Sequence, residues 1–431
     1  MREMKDSGIE WVGAIPQDWQ LSKIGSLYTQ RNEKVSDKNY QPLSVTMQGI
    51  LPQLATAAKT DDGDNRKLVR VGDFAINSRS DRRGSCGISP LDGSVSLINI
   101  ILTPRTAMHP GYYNWLFHTT LFADEFYKWG HGIVADLWTT HWQEMKSITV
   151  PVPEYAEQER IAAFLDAECA EIDTVLEKTR ASIEEYKKLK QAVITQGVTK
   201  GIRGDRPMKN SGIEWIGDIP AEWKVASIGR FCFVTKLAGF EFTNDMMSNI
   251  QDSGDIPIVR AQNIKMGKFI NNISEFIPYR ISQKLERCAL NRKCLIITFI
   301  GAGIGEVAIF NEPKRYHLAP NVAKIVINVG MEHFVTEEYL LYFLMSFAGQ
   351  EEINKIKKAT AQPSLSMGTI RSIKMVLPDS IEEQSEIVSY LDMRCASIDA
   401  LIAKKQQYLI EIENYKKSLI YEYVTGKKEV V

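Results

Sequence analysis

The sequence predicts an α/β protein in which two similar domains, each a mixed sheet with helices, are separated by two long helices. The phrase SGIEWVGAIPQDW begins at Ser7 and returns as SGIEWIGDIPAEW at Ser211. A second phrase begins at Pro153, returns at Pro378 and opens a long helical pattern each time. The chain has 431 residues, more than one hydrophobic core usually organises. A duplicated unit explains both the length and the repeats.

The repeated phrases divide the chain into four segments. Residues 1–155 and 208–380 form the two domains, residues 156–207 form the first long helix with a linker, and residues 381–431 form the second long helix. Each half therefore consists of an opening phrase, a variable middle and a closing helix.

The opening phrase predicts an aromatic anchor. Trp11 and Trp19 correspond to Trp215 and Trp223, with an isoleucine between the two rings in each copy. Gly and Pro residues favour a non-repetitive backbone, and two indole rings bury a large apolar area. The phrase is expected to pin the start of each half onto its domain.

The middle segments are less alike but follow one order of elements. LVRVGDFAINSRSDRRGSCGIS from Leu68 and CALNRKCLIITFIGAGIGEVAIF from Cys288 each predict a short strand, a turn rich in glycine or charge, and further strands. An apolar strand and one amphipathic helix follow in each half. The sequence therefore predicts one framework with two different sets of loops.

The closing segments predict helices of about 40 residues, roughly 60 Å long. Their apolar residues recur every three or four positions, at Ile161, Leu165, Ile172, Val175, Leu176, Ile183, Tyr186, Leu189 and Val193, and at Ile387, Leu391, Cys395, Ile398, Ile402, Leu409, Ile412 and Leu419. No Pro or Gly interrupts either pattern before Gly197 and Gly426. Such helices need an apolar partner, so we expect an antiparallel two-helix coiled coil and a pseudo-two-fold internal repeat. The alternative is that each helix packs only on its own domain.

Composition excludes several classes of protein. Hydrophobic content of 44% and charged content of 24% are typical of globular chains. The N-terminus lacks the apolar core of a signal peptide, and the longest apolar run, from Cys294, is short and broken by glycines. We therefore expect no membrane association. The formal net charge of −1 does not by itself predict a nucleic-acid partner.

The cysteines predict a reduced, cytoplasmic protein without a metal site. None forms a CxxC pair, and no histidine cluster lies near any of them; they are Cys86, Cys169, Cys232, Cys288, Cys294 and Cys395.

Catalytic motifs are also missing from the sequence. GAGIGE at Gly301 lacks the third glycine of a dinucleotide fingerprint and precedes a strand-like EVAIF, so it predicts a glycine turn between two buried strands. No GxxxxGK[ST] occurs, and NEPKRY at Asn311 fails the signature of an adenine methyltransferase. The spacing of Glu185 and Lys187 resembles that of a nuclease but lies within a helical pattern. We predict no catalytic residues in this chain.

The paired G-I-E-W-x-G-x-I-P-x-x-W and P-x-x-x-E-Q phrases, in this order over the whole chain, resemble the specificity subunit of type I restriction-modification enzymes. The resemblance implies that the variable middles are target recognition domains, one for each half of a bipartite DNA site, with the helices setting the spacer. It implies three kinds of partner: double-stranded DNA, two DNA methyltransferase subunits, and restriction/translocase subunits. S-adenosylmethionine, ATP and magnesium would belong to those partners, with no cofactor in this chain.

Side chains that read bases are Arg or Lys for guanine and Asn or Gln for adenine, presented from loops. The family's recognition residues differ between members, so the candidates are residues of these types in predicted turns, together with Ser78 of the turn NSRSDRRGS. They are Gln48, Asn77, Ser78, Arg79, Arg82 and Arg83 in the first domain, and Lys236, Arg260, Gln262, Asn263 and Lys265 in the second. Each could instead contact a phosphate or water, and Asp81 could neutralise its arginine neighbours.

Two other functions stay open at this point. One is a protein-protein scaffold with duplicated α/β modules on a coiled coil, which would not read DNA. The other is a cofactor-dependent enzyme that uses GAGIGE, which would require nucleotide binding by the purified chain.

Overall fold

A computed structural model describes residues 2–53, 63–132, 138–358 and 364–430. The chain divides into two compact units: the first comprises residues 1–180 and 406–431, and the second comprises residues 181–405. Each long helix contributes one segment to each unit. The unit boundaries therefore fall within the helices, whereas the sequence pattern placed its boundaries at the helix ends.

The first unit contains short strands and short helices ahead of the first long helix. Its strands are β1 Met4–Asp6, β2 Ala14–Pro16, β3 Gln20–Lys23, β4 Tyr28–Arg31, β5 Lys34–Val35, β6 Leu43–Thr46, β7 Gly49–Pro52, β8 Arg66–Val69, β9 Phe74–Asn77, β10 Cys86–Ile88, β11 Gly93–Val95, β12 Asn99–Pro104 and β13 Thr149–Val152. Its helices are α1 Ile24–Leu27, α2 Pro110–Phe117, α3 Thr120–Lys128, α4 Trp142–Met145 and the first part of α5 Tyr155–Lys200.

The second unit repeats this succession. Its strands are β14 Met208–Asn210, β15 Asp218–Pro220, β16 Lys224–Ser227, β17 Cys232–Lys236, β18 Ile256–Val259, β19 Ile264–Lys265, β20 Lys268–Phe269, β21 Phe276–Ile277, β22 Ala289–Leu290, β23 Cys294–Thr298, β24 Val307–Phe310, β25 Tyr316–Leu318, β26 Val322–Ile327 and β27 Lys374–Leu377. Its helices are α6 Gly239–Glu241, α7 Tyr279–Lys284, α8 Glu337–Met345, α9 Phe347–Lys358, α10 Met367–Ser372 and the first part of α11 Ile381–Val424.

The central sheets of the two units have the same strand order. The order is β10-β9-β12-β4 in the first unit and β24-β23-β26-β17 in the second, with every pair antiparallel. A second sheet accompanies each: β11-β8-β5 in the first unit and β21-β18-β25-β22 in the second. The second unit's sheet includes one parallel pair, β18 with β25, so the class is mixed α/β as predicted.

The central strands are buried on both faces. In β9, Phe74 and Ile76 join the core formed with α2 and α3, while Ala75 joins the core shared with the second sheet. In β23, Leu295 and Ile297 join the core around α8, whereas Ile296 faces the other way. Successive side chains of a strand point to opposite faces, so burial on both sides fixes these strands firmly. The turns that follow them start from a rigid base.

The closing segments are helical, as predicted: α5 has 46 residues and α11 has 44. Helix α5 continues through Gly197, the first glycine in its pattern. A Cβ at Gly197 would lie 2.9 Å from Cδ2 of Leu391, so glycine lets α5 approach α11 closely here. Helix α11 ends before Gly426, whose φ of 71° is the left-handed conformation common after helix ends.

Within each unit the segments of α5 and α11 contact each other in antiparallel order. In the first unit, Lys416 binds Asp173 and Arg180 binds Glu413, both at 2.6 Å. In the second unit, Lys190 binds Asp399 at 2.6 Å. These exposed ion pairs contribute little to stability individually. The apolar stripes contribute more, because residues of both helices join one core in each unit.

The duplicated phrases contact each other within each unit. The indole N–H of Trp19 donates to Glu157 at 2.9 Å in the first unit, and that of Trp223 donates to Glu383 at 3.2 Å in the second. An arginine guanidinium lies over each indole ring, with its Cζ 5.7 Å from the ring centre for Arg2 and 5.6 Å for Arg206. The glutamate of each E-Q pair thus anchors the opening phrase to the start of a long helix, which explains why both phrases are duplicated.

The amphipathic segment of each middle forms two helices where we expected one. The hydroxyl of Thr119 caps α3 by accepting from the N–H of Phe122 at 3.2 Å. In the second unit, the hydroxyl of Ser346 accepts from the N–H of Gly349 at 3.1 Å. Hydroxyl side chains compete for backbone groups and favour helix starts, so each segment breaks at these residues.

All six cysteines are free thiols and buried. Across the described ranges, no helix is long and apolar enough to span a bilayer. The same ranges hold no cluster of three His, Cys, Asp or Glu side chains suited to a metal ion.

Candidate nucleic-acid interface

Five of the six candidates of the first unit lie on one turn, residues 77–84, which joins β9 to β10 and is called the arginine turn. Asn77 and Ser78 begin it and are buried, 7% and 4% exposed. The amide oxygen of Asn77 accepts from the N–H of Arg79 at 3.0 Å, and the Ser78 hydroxyl donates to the carbonyl of Ile98. Because both side chains are bound inside the protein, they hold the turn in shape, and we withdraw the expectation that they reach bases.

The three arginines of this turn are exposed. Arg82 lies 3.7 Å from the carboxylate of Asp81, which partly neutralises it. Arg83 pairs with Asp124 and lies 5.9 Å from the ring centre of Tyr127. Arg79 has no ion-pair partner within the described ranges. It is therefore the cation of this turn that is most available to a ligand.

Gln48 lies at the tip of the hairpin formed by β6 and β7, beside the arginine turn. Its side chain is exposed, and its N–H donates to the hydroxyl of Thr46 at 3.1 Å. A Cβ at Gly84 would lie 4.0 Å from Cε of Met47, the other tip residue. The fold therefore brings the tip of this hairpin next to the arginine turn, which is distant from it in sequence.

In the second unit four of the five candidates lie on residues 260–267, called the amide turn. Asn263 is 3% exposed, and its side chain binds the N–H of Arg260 and the carbonyls of Ile270 and Asn272 at 2.9–3.0 Å. It therefore also holds its turn rather than reaching outward. Arg260 is half-buried and bound to Glu275 at 2.6 Å.

Gln262 and Lys265 are the exposed candidates on the amide turn. Lys265 lies 3.6 Å from Glu306, which belongs to the turn between β23 and β24. This second turn, residues 299–306, is the glycine turn predicted from GAGIGE, and it joins strands equivalent to β9 and β10. The amide turn and the glycine turn are therefore neighbours.

Lys236 lies beside Phe299, the first residue of the glycine turn. Its ammonium group is 4.3 Å from the ring centre of Phe299, and its carbonyl accepts from Arg287 at 3.2 Å. Arg287 binds Glu241, and this hydrogen bond raises the pKa of Arg287 and lowers that of Glu241. Both groups therefore stay charged near neutral pH. Lys236 is half-buried and packed on an aromatic face.

Sequence reasoning matched the stretch that contains the glycine turn with the stretch that contains the arginine turn, but it named no candidate residue on the glycine turn. It also missed a groove in the first unit. Beside Arg79 lies a groove that contains Lys67. The sequence offers no signal for this groove, because its lining combines residues of β4 and β12, which pair in one sheet, with Lys67 of β8, which pairs with β5 in the other.

The two sites differ in chemistry although they occupy equivalent ends of equivalent sheets. The first presents guanidinium groups and one amide, a set suited to the acceptors of guanine. The second presents one amide, one ammonium group and exposed Ile300 and Ala302, a set suited to adenine and the thymine methyl group. Among the described residues, neither site brings together a group of three His, Cys, Asp or Glu side chains suited to a metal ion.

Comparison with known proteins shows consistent similarity. The family model for the type I restriction modification DNA specificity domain matches residues 220–414. The MjaVIII type I restriction enzyme specificity subunit of Methanocaldococcus jannaschii is 24% identical, covering 96% of this chain and 94% of the relative. The EcoKI specificity subunit of Escherichia coli K12 is 21% identical, covering 96% and 90%.

Solved structures share the fold. One, from work on complex assembly and conformational transition of the type I R-M system, has a TM-score of 0.74 at 13% identity, covering 96% of this chain and 99% of that chain. The HsdS subunit of Thermoanaerobacter tengcongensis has a TM-score of 0.52 at 15% identity, covering 96% and 98%.

Proposed function

Because this chain belongs to the specificity subunits of type I restriction-modification enzymes, we propose that it reads a bipartite DNA site, one half-site with each unit. In this proposal the arginine turn and Gln48 contact the first half-site. The amide turn, the glycine turn and Lys236 contact the second. The chain itself performs no catalysis.

The observation that carries the proposal is the contrast between shared framework and different turns. The strands that bear the arginine turn and the glycine turn are buried on both faces and have equivalent neighbours. The turns themselves differ in charge and in hydrogen-bonding groups. A site with two dissimilar halves needs two readers of this kind, because bases are distinguished by donor and acceptor patterns presented from a fixed frame.

The helices are the proposed ruler. Helices α5 and α11 are continuous and contribute to both units, so we propose that they form an antiparallel coiled coil which fixes the unread spacer. The internal repeat would give the chain a pseudo-two-fold character. That character suits the docking of two identical methyltransferase subunits.

The catalytic partners in this proposal are two DNA methyltransferase subunits and restriction/translocase subunits. S-adenosylmethionine, ATP and magnesium belong to those subunits. The near-neutral net charge of this chain fits a complex in which partners supply part of the contact with phosphates.

The test is to co-express the chain with the methyltransferase encoded beside it and to map methylated adenines. We expect one discontinuous motif. Reversing the charge of Arg79, Arg82 and Arg83 together should change or abolish reading of the first half-site. The same change at Arg70, a half-exposed arginine paired with Asp92, should leave the motif intact. A scaffold function predicts no motif, or an unchanged motif in the triple variant, and either result would reject DNA reading by this turn.

A further inference from the structure

An open groove of 420 Å³ lies beside the arginine turn in the first unit. Its polar lining includes Gln30, Lys67, Arg79, His141 and Gln143. No Asp or Glu occurs among its lining residues in the described part of the chain. The groove therefore concentrates positive charge and hydrogen-bond donors without an internal counter-ion.

Lys67 lies within this groove in an unusual setting for a lysine. It is half-buried, and its ammonium group donates to the backbone carbonyl of Asn99 at 2.7 Å. Burial lowers the pKa of Lys67. Within the described ranges the ammonium group has no carboxylate partner. The groove is thus lined by a cation that has lost part of its hydration and is not compensated by a negative charge.

A second lysine lies beside Lys67 on the neighbouring strand. Lys34 on β5 is the direct register partner of Lys67 on β8, and its side chain is exposed. Side chains directly opposite in an antiparallel pair lie on the same face, and like charges in that position are destabilising. Two lysines in this arrangement oppose folding, and a bound anion would remove the repulsion.

We propose that Lys34, Lys67 and Arg79 form a seat for the DNA phosphate backbone, which positions the arginine turn over its half-site. The inference rests on the proposed DNA-reading function and adds residues that carry no base information themselves. Arg79 links the two roles because it lines the groove and begins the exposed part of the turn. A phosphodiester fits better than a protein carboxylate because the groove is open and lies beside the reading turn, where a duplex backbone would pass.

The experiment measures DNA affinity of the full chain, in complex with its methyltransferase, as a function of salt concentration. The duplexes are one that contains the mapped motif and one with a scrambled motif. Each phosphate contact contributes a slope of about 0.9 in the logarithm of affinity against the logarithm of salt. Lys67→Gln should reduce the slope by about that amount on both duplexes, weakening binding about 3-fold or more at low salt, with the methylated motif unchanged.

The matched control is Lys38→Gln, which removes the same charge in the same unit from a lysine already paired with Asp64; its slope should stay at the wild-type value. Lys34→Gln should behave like Lys67→Gln and, by removing the like-charge pair, should not lower the melting temperature.

An unchanged slope for both groove variants, in a complex that still methylates a bipartite motif, would overturn the seat and leave the reading function standing. The salt slopes of the wild type and of Lys67→Gln should differ in chloride and become equal when inorganic phosphate replaces chloride at equal ionic strength. That result would support the seat, because inorganic phosphate would then compete with DNA for it. Absence of any motif with the wild-type chain would reject both proposals.

Discussion

Replacing Gly426 by alanine tests the contact between the end of α11 and the opening phrase. Gly426 has a φ of 71°, and a Cβ there would lie 2.5 Å from Cδ of Pro16 and 3.0 Å from the ring of Trp19. Gly72 has a φ of 86° but no atom within 4 Å of the same added carbon. Both alanine variants adopt a left-handed backbone, which costs about 1–2 kcal/mol. Only Gly426→Ala adds overlap in a packed core, which costs about 1–3 kcal/mol more.

The assay is thermal unfolding of the two variants and the wild type, followed by circular dichroism. For a unit of this size, 1 kcal/mol shifts the melting temperature by about 2–4 °C. The overlap should therefore lower the melting temperature of Gly426→Ala by about 2–12 °C beyond that of Gly72→Ala. Equal losses in the two variants would refute the close packing of α11 on Pro16 and Trp19.

Three further predictions address other parts of the molecule. Tyr112→Phe removes a buried hydroxyl that donates to the carbonyl of Val424 at 2.8 Å, and it should lower the free energy of unfolding by about 1–2 kcal/mol. Tyr113→Phe removes a buried hydroxyl without a partner among the described residues, and its effect on stability should be neutral or stabilising. Equal urea midpoints for the two variants would contradict this difference. Four residues inserted at facing positions of α5 and α11 add about 6 Å, close to two base pairs of rise, so methylation mapping should find a longer spacer between unchanged half-sites, and an unaltered spacer would reject the ruler alone. Burial raises the pKa of the Cys86 thiol to about 12, so iodoacetamide at pH 8 should label this and the other buried cysteines only after denaturation; rapid labelling of the native chain would contradict their burial.

The helices and the duplicated framework could be predicted because their signals are local and periodic. The apolar stripe of α5 and the two E-Q phrases mark long helices directly in the sequence. The exception is Gly197, where the local rule predicts an interruption but the proximity of Leu391 favours a residue without a side chain. That proximity depends on residues far away in the chain, so no local pattern could indicate it.

The candidate residues could be predicted by type but not by exposure. Asn77 and Asn263 are the residue types that read adenine, yet each completes the hydrogen bonds of its own turn. The partners that neutralise Arg83 and Lys265 are Asp124 and Glu306, which strand pairing and helix packing bring near. A sequence pattern indicates which chemistry a turn can offer, while the fold decides which of those groups remain available.

The division of the chain into units also determines the order in which its parts can fold during synthesis. The second unit is one uninterrupted stretch, residues 181–405, and emerges from the ribosome complete. The first unit can be completed only after residues 406–431 have been synthesised. Tyr112 binds the carbonyl of Val424 at the end of α11, and Trp19 packs against Gly426. The unit that is translated first is thus the unit that is completed last, and a chain truncated after residue 405 would carry a complete second unit attached to an incomplete first one.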